Sequence, residues 1–498
     1  MKKYISLILI LMLITGLLSG CGSQTVESQI REEEAADSDS VDRMEESPVI
    51  EYTVPKSVPS ILVDQQGYLQ DRTKMAIFLG DEVSPYFTVC DAATGETVYV
   101  GALEEKGTDE KSGKTIYYGD FTDYMKDGTF FVHHDQLGSS YSFRVGNESY
   151  HDLLKRVYEK LSAFEEGQDT SEETSGGWIT GDKERRGTVD NCKAALTLMM
   201  AYELYPSAVE ILNGNTSSSD SVPPVILQNM LSQISFLSKL QDTATGGVCA
   251  GVLKRPSGKD YAFIKEETDY EATAYFIAVM AGFGYLYQKY DYNIAKGCLQ
   301  GANRAWKYLN KNVNEVDPSD YYMAAAQMYR TTGTYSYRKV VEAYEEHMLS
   351  DELEGSFLYG SYFYLITKSK VNIDICSELT KRFMNRAEQI AGNIQSSRFL
   401  TETGLDEEGL ESMLQDMQTM VIVNYTIPNY EYATVIENQL HYVLGRNESA
   451  ICLMAGEGDS SVQETDAINI GAKPMRIAQA CALISEVIGQ MKEAEMNR

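Results

Sequence analysis

A chain of 498 residues is too long for one ordinary hydrophobic core, so at least two folded domains are expected. Its 43% hydrophobic and 23% charged residues are globular values, and the net charge of −30 excludes a nucleic-acid partner, because phosphate binding needs a clustered basic surface. An acidic surface of this kind suits a neutral substrate or simple solubility.

Lys2 and Lys3 form a basic start, and Ile5 to Leu18 is an apolar run too short for a confident transmembrane helix, so the segment reads as a secretion signal. It ends in Leu18-Ser19-Gly20-Cys21, which resembles the bacterial lipoprotein cleavage box and makes Cys21 the candidate lipidation site. The alternative is an ordinary signal peptide with a chance cysteine. Lipidation implies localisation on the extracellular face of the bacterial cell membrane, with the lipid anchor as the only membrane contact. Residues 22–56 are rich in Glu, Asp and Ser and are expected to form a disordered tether reaching about 30 to 35 Å. The other seven cysteines are scattered without a CxxC pair and read as buried thiols, so no metal site and no cofactor are expected.

Between residues 57 and 147 short β-branched runs alternate with Gly or Asp turns. "SILVDQQGYL", "KMAIFLG", "YFTVCDAATGETVYVG", "KTIYYGDF", "GTFFVHH" and "YSFRVG" predict an antiparallel β-sandwich. In residues 148–498 the period changes to three and four. Twelve helices are predicted near 149–165, 188–204, 223–241, 268–290, 294–310, 319–331, 335–348, 354–366, 372–392, 407–425, 430–445 and 472–494. Long helices with mostly short returns favour antiparallel hairpins, and six hairpins make an all-α (α/α)6 barrel.

Several stretches also resemble a known family. "ILVDQQGYL", "YGDFTDYMKDGTFFV" and "YSFRVGNESYHDLLKRVYEKL" look like the immunoglobulin-like module preceding the catalytic domain in many cellulases of glycoside hydrolase family nine. "SGGWITGD", "TDYEATAYFIAVMAGFGYLYQKYDYNIAKGCLQGANRAWKYL", "YYMAAAQMYRTTGTYSYRKV" and "IENQLHYVLGRN" continue the likeness through the helical part. The resemblance implies the same (α/α)6 barrel and hydrolysis of β-1,4-glucan or a related oligosaccharide with inversion. Inversion needs a carboxylate base to activate water and a carboxylic acid to protonate the leaving oxygen, about 6.5 to 9.5 Å apart.

The family's base is the second aspartate of an Asp-Ala-Gly-Asp loop, and Asp182 matches it. On pattern alone, Asp182 is a solvated loop or N-cap aspartate. The first aspartate is missing, with Ile179-Thr180 in its place. The family's acid is a glutamate shortly before the last helix. Glu464 is the nearest match, Asp466 the second candidate, and a charge in an exposed loop the structural alternative. The family's His-His-Arg motif is also absent, since no histidine follows His441. Sugar rings stack on aromatic faces, which singles out the loop residues Trp178 and Tyr261 for substrate binding. These departures leave a second expectation, a catalytically impaired glycan-binding or scaffold lipoprotein.

Overall fold

The structure, a computed structural model, describes residues 49–214, 222–257, 260–348, 352–401 and 404–496. The expected signal segment, Cys21 and most of the expected tether lie outside the described residues.

Nine strands follow one another from Ile61 to Val145: β1 (Ile61–Leu62), β2 (Gly67–Tyr68), β3 (Met75–Leu79), β4 (Tyr86–Asp91), β5 (Thr97–Thr108), β6 (Thr115–Asp120), β7 (Gly128–His134), β8 (Gly138–Ser139) and β9 (Phe143–Val145). The long β5 divides its pairing: Thr97 to Ala102 pairs with β4, and Leu103 to Thr108 pairs with β6. It therefore belongs to two sheets, whose inner faces meet where Phe78 of β3 packs on Phe87 of β4 at 5.3 Å. One pair departs from the antiparallel expectation, for β2 runs parallel to β9. Gly67 permits this close approach, at φ +137° and with no room for a Cβ, which would lie 2.0 Å from the Arg144 carbonyl oxygen.

Twelve helices of nine residues or more follow among the described residues: α1 (His151–Glu159), α2 (Thr188–Leu204), α3 (Val225–Lys239), α4 (Tyr270–Tyr287), α5 (Tyr292–Lys311), α6 (Pro318–Thr332), α7 (Tyr335–Ala343), α8 (Gly355–Leu365), α9 (Ile373–Ser396), α10 (Glu407–Thr426), α11 (Tyr430–Val443) and α12 (Pro474–Met496). Asx side chains fix many of the starts. Asp269, Asp291, Asp317, Asn372, Asp406 and Asn429 each accept a backbone N–H from the first turn of the helix they precede.

Burial separates two kinds of helix. In α5 and α9 the buried residues form one stripe, Ala295, Cys298, Ala302, Ala305 and Leu309 in the former, as expected for helices with one face in water. In α4 nearly every residue from Ala272 to Gly284 is buried, and α2, α6, α8 and α10 are likewise covered on most sides. These covered helices are neighbours: α2 packs on α4, α4 on α6, α6 on α8, α10 on α12, and α12 on α2. Between α8 and α10, Gln418 Nε2 donates to Tyr359 Oη at 3.0 Å.

Sandwich and helices share a buried polar seam. Asp64 caps the turn before β2 by accepting the N–H groups of Gln66 (2.7 Å) and Gly67 (2.9 Å) through Oδ1. Its Oδ2 meets His441 Nδ1 of α11 at 2.8 Å and accepts the Tyr150 hydroxyl at 3.0 Å. A buried carboxylate needs such partners, so the sandwich has one seat on the helices.

Candidate active site

The loop Ser175–Asp182 is held from below by two side chains that follow it in sequence. Arg186, fully buried, donates to the carbonyls of Thr174 (2.7 Å) and Gly176 (2.6 Å) and to Asp169 Oδ2 (2.8 Å). Its guanidinium lies over the Phe236 and Phe263 rings at 5.5 and 4.9 Å. Burial works to raise the Asp169 carboxyl, yet the Arg186 and Thr174 hydrogen bonds bring it below the usual carboxylate range. Asn191 of α2 accepts the Trp178 N–H at 2.8 Å and returns its amide to the Trp178 carbonyl at 3.0 Å. Gly177 sits at φ +85°, where a Cβ would meet the Phe236 ring at 2.5 Å. Backbone approach and left-handed geometry together explain the glycine.

Within this frame, Trp178 is only 5% exposed and borders a partly open pocket of about 180 Å³ beside Leu198 and Ile226. The ring belongs to the core under the loop and offers solvent little of its face. Thr180, which with Ile179 stands in the place of the first aspartate of the motif, is also engaged: its N–H donates to the Arg185 carbonyl (2.8 Å) and its Oγ1 accepts the Gly187 N–H (2.9 Å). Asp182 is different. It opens the 3-10 turn Asp182–Glu184 just before α2, and its exposed carboxylate has no hydrogen bond or ion pair among the described residues.

A small sheet walls the loop. β10 (Arg186–Gly187) pairs with β12 (Gly251–Ser257), which pairs with β13 (Asp260–Lys265), while β11 (Val248–Cys249) pairs with β14 (Thr268–Asp269). Tyr261 therefore stands on a strand rather than in a loop, and it is 64% exposed. Lys254 ties it to the turn Asp182–Glu184, with Nζ 4.9 Å from the Tyr261 ring centre and donating to both Glu184 oxygens at 2.8 and 2.6 Å.

Glu464 has a side chain 71% exposed and 3.5 Å from Lys160 Nζ. Asn469 donates to its carbonyl at 3.0 Å, and Asp466 Oδ2 accepts the Gln463 N–H at 2.7 Å, closing the turn that carries the pair. The same 160–164 turn that meets Glu464 through Lys160 accepts the Ile179 N–H at the Phe164 carbonyl (2.8 Å). Both candidate loops thus flank one segment. The residues just before them, where the family carries its histidines, turn to the sandwich: Ser460 N–H donates to Gln65 Oε1 (2.8 Å), and Asp459 Oδ2 accepts from Tyr52 Oη (2.8 Å) and Ser142 Oγ (3.1 Å).

Asp182 leads into the N-terminal end of α2, where the first turns of the covered helices meet. Lys193 Nζ of α2 lies 3.9 Å from Glu271 of α4, and Ser356 Oγ of α8 donates to Asp320 Oδ1 of α6 at 2.5 Å. Lys473, at the entrance to α12, bonds Glu407 (3.0 Å) and Glu411 (2.6 Å) of α10. Converging helix N-termini favour negative charge, and acids gather there. Asp320 is the one that sequence reasoning missed. Only 7% exposed, it is pushed up to about 6, chiefly by burial, with Glu271 and Asp317 adding repulsion against the Ser356 hydrogen bond. In sequence, Asp317-Pro318-Ser319-Asp320 reads as a helix start, and its hydrogen-bond partner Ser356 comes 36 positions later.

The family model described as "Glycosyl hydrolase family 9" matches residues 132–467, and the one described as "Cellulase N-terminal ig-like domain" matches residues 56–139. The chain belongs to glycosyl hydrolase family 9. As a glycoside hydrolase of family 9 with an N-terminal immunoglobulin-like domain, it is similar to endoglucanase D of Acetivibrio thermocellus, with 22% identity over 457 residues covering 78% of this chain and 71% of the relative. It is also similar to a cellodextrinase of Butyrivibrio fibrisolvens, at 23% identity with 80% and 85% covered. The fold matches a solved metagenome-derived family 9 endoglucanase with a TM-score of 0.76 at 18% identity, over 86% of this chain and 99% of the other.

Proposed function

We propose that this family 9 protein is an (α/α)6-barrel enzyme, held on the outer face of the cell membrane through Cys21, that hydrolyses β-1,4-glucan or a related oligosaccharide with inversion. The neighbour order of α2, α4, α6, α8, α10 and α12 supports an inner ring, each member paired with an outer helix, and the relatives' names point to glucan. Asp182 is the base. The observation that carries the reading is its exposed, unengaged carboxylate on a loop whose backbone is fixed by Arg186 and Asn191. A carboxylate carried on a fixed backbone, with no competing partner among the described residues, is free to take a proton from water. Tyr261 supplies the stacking face beside it.

Glu464 is the acid by position in the family pattern. A second reading is favoured by Asp320, whose burial raises its carboxyl to about 6, so that it holds its proton in mildly acidic solution, as an acid for glycoside cleavage requires. The missing first aspartate lowers the rate in either case, because the Thr180 hydroxyl oxygen is already bonded to Gly187. The alternative, a glycan-holding lipoprotein without turnover, is separated by one assay. Release of reducing ends from carboxymethylcellulose, mixed-linkage glucan, xyloglucan and cellotetraose is measured for the wild type and Asp182→Asn. The enzyme reading predicts release from at least one and its loss in the variant; no release from any substrate leaves the non-enzymatic reading. For the anchor, Cys21→Ser moves the protein from the membrane fraction to the medium.

A further inference from the structure

The covered helices have a second end. Where the chain leaves α10 and enters α11, a cavity of about 250 Å³ opens between the helices and the sandwich, lined among others by Arg72, Tyr205, Tyr425, Asn429, Tyr430 and Gln490. At 1.5 Å per residue along α10, Tyr425 is about 21 Å from Glu411, so this cavity is separate from the acid-lined end near Asp182.

Its walls combine two kinds of surface. Tyr425 and Tyr430 are 37% and 66% exposed, and Tyr425 is braced edge-on by Tyr205 at 5.8 Å and 83°. Between these apolar faces stand hydrogen-bond donors. Arg72 donates through Nη2 to Gln490 Oε1 at 2.6 Å, which uses the carbonyl side of that amide and leaves the buried Gln490 Nε2 with no partner among the described residues. Asn429 spends its Oδ1 on the Glu431 N–H at 3.0 Å, so its NH2 group is the end left over. The donors are presented firmly, because Lys74 Nζ bonds the carbonyls of Gln70 (2.7 Å) and Arg72 (2.9 Å) and pins the loop that carries Arg72.

The nearby acids are spent. Glu437 pairs with Arg72 at 2.5 Å, and Glu486, bonded by Asn424 at 2.7 Å, is pushed up to about 8 by burial and is neutral at pH 7. With the Arg72 charge already matched, the cavity is no anion trap, and an apolar guest would strip water from the exposed Asn429 NH2 group without replacing its hydrogen bonds. A ring with apolar faces and a rim of hydroxyl oxygens satisfies both surfaces, and the volume lies just under the roughly 300 Å³ of a drug-sized site.

We propose that this cavity is a second saccharide-binding site, taking one sugar ring of a neutral glucan between Tyr425 and Tyr430 and holding the chain without cleaving it. It adds a site that the hydrolytic reading does not require; only the choice of glucan as ligand rests on that reading.

The test is a calorimetric titration of the full chain, carrying Asp182→Asn to prevent turnover, with cellotetraose, with and without Tyr425→Ala and Tyr430→Ala. Both rings are exposed, and circular dichroism verifies the fold. The expected result is a binding component weakened at least tenfold by each alanine, while reducing-end release by the same alanine variants with Asp182 intact keeps its wild-type kcat. Titrations indistinguishable from the parent, or no heat from the parent itself, overturn the site. Loss of binding on Tyr430→Ala in a chain that releases no reducing ends keeps the site and sinks the hydrolase reading, so the two fail separately.

Discussion

Replacing Asp320 by asparagine removes a carboxyl that burial holds at about 6 instead of 3.8. Between those two values the folded chain binds this proton and the unfolded chain releases it, so stability falls as pH rises across the window, and the cost is complete above pH 6. Roughly two units at 1.36 kcal/mol each amount to about 3 kcal/mol at pH 8 and well under 1 kcal/mol at pH 4. An asparagine oxygen can still accept the Ser356 hydroxyl, which limits other losses. Urea unfolding of the wild type and Asp320→Asn at pH 4, 6 and 8 is therefore expected to show the variant gaining about 2 kcal/mol relative to the wild type from the lowest to the highest pH. Titrating groups that do not interact with Asp320 cancel in that difference. Parallel pH curves for the two proteins would refute the account of a protonated acid at the helix N-termini. Where Asp320 also donates the catalytic proton, the wild-type activity falls above about pH 6 and the variant loses that limb.

Gly177→Ala forces a side chain into a left-handed residue against Phe236, and a loss of about 2 kcal/mol or more is expected by thermal unfolding, with a fall in kcat/KM as the base loop shifts. Arg186→Met leaves Asp169 and Glu166 buried without their cation, and equilibrium unfolding should register a loss of about 3 to 5 kcal/mol. Glu486→Gln acts in the other direction. Because the folded chain keeps this proton up to about pH 8, wild-type stability declines between roughly 4.5 and 8, and the variant's advantage should widen across that window in denaturant titrations.

The helical part was legible because its signals are local. The Asx caps at 269, 291, 317, 372, 406 and 429 stand at the breaks between apolar-periodic runs, and the observed helices begin within a few residues of the expected starts. Features that depend on distant partners were not. The β12–β13 hairpin had only the Pro256-Ser257-Gly258-Lys259 stretch between two short runs as its signal, and it decides that Tyr261 faces outward beside Glu184. The parallel β2–β9 pair rests on Gly67 meeting Arg144, 77 positions away, which no strand pattern encodes. Trp178 looked like a stacking platform because it is a loop aromatic beside glycines, but Asn191 clasps its backbone so that the ring points into the core. Asp320 carries the same lesson, since the main cause of its raised carboxyl is burial by helices distant in sequence, with Glu271 and Asp317 adding repulsion.

The central claim, that Asp182 activates water for inversion at a β-glucosidic bond, is tested most directly by proton NMR of cellotetraose during its hydrolysis by the full chain. The account predicts that the first new reducing end is the α-anomer, which then equilibrates, and that Asp182→Asn abolishes its appearance. A β-anomer formed first, or undiminished turnover in Asp182→Asn, would contradict it.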